Sequence, residues 1–133
     1  MPPVESNRTY ERNRVVSKNR TGDASMSIPE KLVSDLIAED PDMIDIVEEF
    51  VATLSNRVGE FQEAHEKLDW ELLATLAHRL KGAGGSYGYG PLSELGAEME
   101  TAFRQQQAEQ FQQWMQQLER LAQAARKGLE GAT

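Results

Sequence analysis

The run Ala77-His78-Arg79-Leu80-Lys81-Gly82-Ala83-Gly84-Gly85-Ser86 sets one histidine among residues that weaken a helix. Imidazole is the side chain whose ordinary titration spans neutrality, so a neutral ring offers a nitrogen lone pair for nucleophilic, basic or ligand chemistry. On an ideal helix over residues 70–87, at about 100° per residue, Leu72, Leu73, Leu76, Ala77, Leu80, Ala83 and Tyr87 share an arc roughly opposite His78. The stripe therefore argues against a core histidine and points the ring outward. Ala74 and Gly82, one turn away, are small, as is Gly85 two turns on, and Lys81 at i+3 lies on the same face. Three interior glycines cost about 3 kcal/mol relative to alanine, so access or packing must offset them. Gly82 and Gly85 clear the histidine face, while Gly84 lies nearer the core side, where it lets another helix come close. An ordinary surface histidine is the competing reading, which the glycines and the lysine weaken.

Other chemistries find no support in the spacing. A dinucleotide loop starting at Gly82 would need glycine where Tyr87 stands, and no strand precedes it; no Walker A run is present. His65 and His78 fall on different predicted helices without an HExxH pattern, so no metal site is expected, and His65 reads as a surface residue. No serine or acidic residue carries the local signature of a catalytic triad. Trp70, Trp114 and Tyr89 read as core or boundary aromatics, with Tyr89 a candidate for the border of a docking surface.

The elements that position the histidine are helical throughout. A short helix is expected over 29–39, with Ser27 near its cap, Pro29 in its first turn, and Leu32, Leu36 and Ile37 on one side. Asp40 caps and Pro41 opens a long helix whose stripe is Met43, Ile44, Val47, Phe50, Val51, Leu54, Val58 and Phe61. Asp69 caps the histidine helix, and Gly88-Tyr89-Gly90-Pro91 ends it and starts the next, carried by Leu92, Leu95, Met99, Ala102 and Phe103. After a polar turn at Gln105-Gln106-Gln107, a last helix spans about 108–127, with Phe111, Met115, Leu118, Leu121, Ala122 and Ala125 as its stripe. With no strand alternation, the expected fold is all-α: an antiparallel up-and-down four-helix bundle with a short extra N-terminal helix. The bundle is expected over 28–127, followed by a tail over 128–133.

Composition narrows the partners. The 133 residues carry a net charge of −8 and no cysteine, which leaves one domain, no disulfide framework and no thiolate chemistry. Residues 1–27, without sustained periodicity, read as a disordered extension holding five basic and three acidic residues, leaving nine basic and nineteen acidic beyond it. Arg8, Arg12, Arg14, Lys18 and Arg20 read as a solvated tail, and the acidic remainder should repel nucleic acid. No segment reaches the roughly 20 apolar residues of a membrane span and the N-terminus lacks a signal-peptide core, so the expectation is a soluble, cytoplasmic protein.

His78-Arg79-Leu80-Lys81-Gly82, continuing through Gly85-Ser86-Tyr87-Gly88 into Leu92, Leu95 and Gly96, closely resembles the signature of histidine-containing phosphotransfer (HPt) domains. The resemblance covers about residues 28–127. It implies a monomeric relay that takes a phosphoryl group from the aspartyl phosphate of one response-regulator receiver domain and passes it to another, with a hybrid histidine kinase as a further partner. It implies no nucleotide site, cofactor or kinase activity of its own; a receiver would supply the metal ion. By the same resemblance His78 is the phosphoacceptor, Lys81 balances phosphate charge, Gly82 leaves room for the incoming group, and Arg79 with Ala74 belongs to the docking surface. The family often has glutamine where Glu100 stands here. An anion there repels phosphate unless Lys81 or Arg104 offsets it, or else accepts a hydrogen bond from the imidazole and orients it. The alternative function is a helical adaptor of the same shape that docks a kinase or receiver without accepting phosphate.

Overall fold

A computed structural model describes residues 28–132. The extension expected over 1–27, Ser27 included, lies outside the described residues. Among the described residues all regular structure is helical: α1 (Asp35–Glu39), a 3-10 turn (Pro41–Met43), α2 (Ile44–Ala52), α3 (Leu54–Glu66), α4 (Trp70–Ser86), α5 (Gly90–Arg104) and α6 (Phe111–Ala132).

The first helix is shorter than expected and starts later. Residues 28–34 are not helical, because Leu32 donates its backbone N–H to the Ala124 carbonyl of α6 at 2.8 Å and buries its side chain there. Ser34, not Ser27, is the cap, accepting from Leu36 N at 3.1 Å and Ile37 N at 3.2 Å. Asp40, expected to cap the long helix, instead caps the 3-10 turn that leads into α2, accepting from Asp42 N at 3.2 Å. The single long helix predicted after it is instead two, parted at Thr53, whose hydroxyl donates to the Phe50 carbonyl at 2.7 Å. The apolar stripe nonetheless runs across the break, with Val47, Phe50, Val51, Leu54, Val58 and Phe61 all buried.

Asp69 caps α4 by accepting from Leu72 N at 3.1 Å. Leu72 itself is exposed and Ala74 is buried, the reverse of the helical-wheel reading. The core face is rotated because α5 packs against the Ala77 and Lys81 side of α4, drawing it away from Leu72. The turn between them depends on Gly88, at φ +82°, where a Cβ would also strike the backbone of Leu36 and Asp35. Beyond the polar turn, α6 runs on to Ala132, so residues 128–132 are helical and not the expected tail. Gly128 permits this packing, since a methyl there would run into the Leu32 carbonyl. Phe111, Trp114, Met115, Leu118, Leu121 and Ala125 bring the apolar stripe of α6 into the core. No helix among the described residues is long and apolar enough to cross a membrane.

Candidate functional site

The site grows out of the seam between α4 and α5. The two run antiparallel, with Gly84 set against Leu92 and Ser93, and Gly96 against Ala77 and Lys81. A Cβ added at Gly96 would lie 2.6 Å from Lys81 N and 2.9 Å from the Ala77 carbonyl, and one at Gly84 would lie 2.6 Å from Ser93 N. Each helix thus presents a glycine where the other's backbone passes. One turn beyond Gly96, this close approach puts the Glu100 carboxylate within reach of His78 across the seam.

The His78 side chain is 63% exposed, whereas that of Glu100 is only 10% exposed. Glu100 Oε2 lies 3.1 Å from His78 Nδ1 and accepts from Arg104 Nη2 at 2.6 Å and Arg104 Nε at 3.1 Å; Lys81 Nζ stands 3.6 Å from the other oxygen. The Arg104 hydrogen bonds, chiefly, hold the carboxyl below its usual range, with the hydrogen bond and charge of His78 and the charge of Lys81 adding to the effect against the opposing pull of burial. An ionised carboxylate only accepts hydrogen bonds, so Nδ1 is the donor. In the neutral ring the proton is therefore fixed on Nδ1, and the lone pair belongs to the remaining nitrogen, Nε2. This tautomer leaves the Nε2 lone pair free on the exposed side of the ring.

The surroundings divide. Lys81 and Glu100 gather at His78, while Gly82 and Gly85 are exposed beside it on α4. A Cβ at Gly82 would meet nothing within 4 Å, and one at Gly85 would make only ordinary contact with Ser93 Oγ at 3.8 Å. A side chain at Gly82 would therefore enter open space. Arg79 turns away from α5 and lines a shallow groove with Thr53, Asn56, Arg57 and Leu76. Ala74, expected on the docking face, is buried at the edge of another groove beside Trp70, Phe103 and Arg104. His65 stacks on Phe111 with ring centroids 3.9 Å apart, and Tyr89 is buried rather than bordering a surface. Gly96 was visible in the sequence only as part of the resemblance. Its position four residues before Glu100, inside an otherwise good helix, is the signal that marks it as a contact point.

A helical protein that fixes the tautomer of an exposed histidine on a glycine-lined seam is suited to receiving and releasing a group at that ring. Residues 45–128 match the family model of the Hpt domain, and the chain belongs to that family. Hpt domains carry out phosphotransfer in two-component systems as intermediates rather than as kinases. Neither the curated proteins nor the solved structures compared with the chain gave a match.

Proposed function

We propose that His78 accepts a phosphoryl group on Nε2 from a receiver-domain aspartyl phosphate and passes it to a second receiver, in an up-and-down bundle that counts α2 and α3 as one bent helix. The observation that carries this reading is the hydrogen bond from Nδ1 to a buried, ion-paired carboxylate on an otherwise exposed ring. On transfer the Nε2–P bond forms as the P–O bond to the aspartate breaks, and the aspartate leaves as carboxylate. Positioning and charge do most of the work in such a step. Glu100 orients the ring, Lys81 reaches toward the incoming phosphate, and the bare backbone at Gly82 leaves the approach open.

The test is incubation with phosphorylated receivers, comparing the protein with its His78→Gln variant. Acid-labile label on the wild-type chain and none on the variant is expected, whereas equal label on both overturns the assignment. Receiver binding that survives His78→Gln, with no transfer from any receiver of the same organism, would instead establish the adaptor reading, for which the anion at Glu100 is the motivating feature.

A further inference from the structure

The hydrogen bond that orients His78 persists in its consequences after phosphorylation. With phosphate on Nε2 and the proton still on Nδ1, the ring is an imidazolium, and a phosphoryl group departs readily from that cation because neutral imidazole is the leaving group. Loss of the Nδ1 proton leaves a poorer leaving group and a longer-lived phosphohistidine. The charged groups facing the ring are Lys81 on α4 and Glu100 and Arg104 on α5. Of these, Glu100 alone is an anion, and it touches the Nδ1 edge at 3.1 Å.

We infer that Glu100 is a positioning residue for phosphoryl release: its carboxylate holds the Nδ1 proton on the phosphorylated ring and keeps His78 a labile donor rather than a store. The inference rests on the reading of His78 as phosphoacceptor. In release, an aspartate carboxylate oxygen or a water oxygen bonds to phosphorus as the P–Nε2 bond breaks, and an attacking water gives its proton to a phosphoryl oxygen or to solvent. The electron pair of that bond returns to Nε2, and the ring departs neutral with its proton already on Nδ1. Glu100 remains a carboxylate throughout and gains no proton.

Phosphoramidate, a small donor that needs no partner protein, separates this inference from the one beneath it. It transfers its phosphoryl group to Nε2 with ammonia leaving. Wild type, His78→Gln, Glu100→Gln and Lys81→Gln are treated, freed of reagent and followed by phosphorus NMR from pH 5 to 9. Label on His78 is expected, and failure of that label overturns both readings. Glu100→Gln, which keeps the shape and removes the charge, should move the pH midpoint of the hydrolysis profile down by about one unit, lengthening the lifetime up to about tenfold on the falling limb. Lys81→Gln removes a charge of the opposite sign and should move the midpoint the other way, which a merely structural disturbance would not do. Label on His78 with coincident midpoints for wild type and Glu100→Gln overturns the role of Glu100 and leaves the acceptor assignment standing.

Discussion

At Glu100 Oε2 the imidazole and the Arg104 guanidinium share one acceptor, so the carboxylate serves the fold as well as the ring. Its pKa in the folded chain lies below the ordinary 4.5, chiefly through the Arg104 hydrogen bonds. The unfolded chain therefore takes up the proton first on acidification: the stabilisation is complete above 4.5 and disappears as pH falls through the lower, folded value. Urea unfolding of wild type and Glu100→Gln should differ by about 1–2 kcal/mol at pH 7, modest because Arg104 and Lys81 are exposed, and converge in acid. A difference as large at pH 3 as at pH 7 would contradict this account. Tyr89 behaves oppositely. Burial pushes its phenol from 10.0 up to about 12, and its hydroxyl has no hydrogen-bond partner. As pH rises from 10 toward 12 the unfolded chain ionises first, so the stability that the neutral, buried phenol contributes is lost across that window. Tyr89→Phe removes both the unpartnered hydroxyl and the titration. It should be neutral or stabilising by about 1 kcal/mol at pH 7, with a flatter alkaline limb in thermal melts.

Within α4 and α5 the glycines divide into two kinds, which substitution to alanine separates. At Gly96 the added methyl would press on the backbone of Lys81 and Ala77, which has no easy way to yield, so Gly96→Ala should destabilise by about 1–3 kcal/mol. At Gly82 the methyl enters open space, so Gly82→Ala should stabilise by about 1 kcal/mol through helix propensity alone. If Gly82 serves partner access, that same variant should transfer phosphate more slowly while melting higher; unchanged transfer would remove access as the reason for the glycine. The helices themselves were legible because their signals are local: Asp69 and Pro91 mark starts, and the stripe from Val47 to Phe61 marks a buried face. The break at Thr53 was not, because the hydroxyl's bond to Phe50 leaves the apolar period intact. The burial of Ala74 and exposure of Leu72 were hidden for a different reason. A wheel centred on the largest residues cannot show that two glycines bring a neighbouring helix in along the smaller ones.

At the scale of the whole molecule, the segment ahead of α2 ties together parts of the chain that sequence patterning treats as separate. Leu32 is pinned to α6 at Ala124, and two residues later Ser34 both caps α1 and donates its hydroxyl to the Tyr87 carbonyl at 2.6 Å, 53 residues away. Asp35 N completes the tie by donating to the Gly88 carbonyl at 2.9 Å. The sequence pointed to Ser27 and Pro29 as the start, and the long-range partners select Ser34 instead, since caps look alike until tertiary contacts choose one. The α4–α5 turn ends the helix that displays His78, so the tie also bears on how firmly the seam is closed. Ser34 is buried with its hydroxyl fully engaged, and Ser34→Ala should cost about 1–2 kcal/mol in denaturant unfolding through the lost cap and the Tyr87 carbonyl left without its donor. Hydrogen exchange gives the sharper measurement: the amides of Asp35, Leu36 and Ile37 should lose protection together with Tyr89 N, which bonds Gly84 O at 2.7 Å across the turn. Faster exchange confined to α1, with Tyr89 unchanged, would mean that the α4–α5 turn holds itself and that Ser34 is a local cap and nothing more.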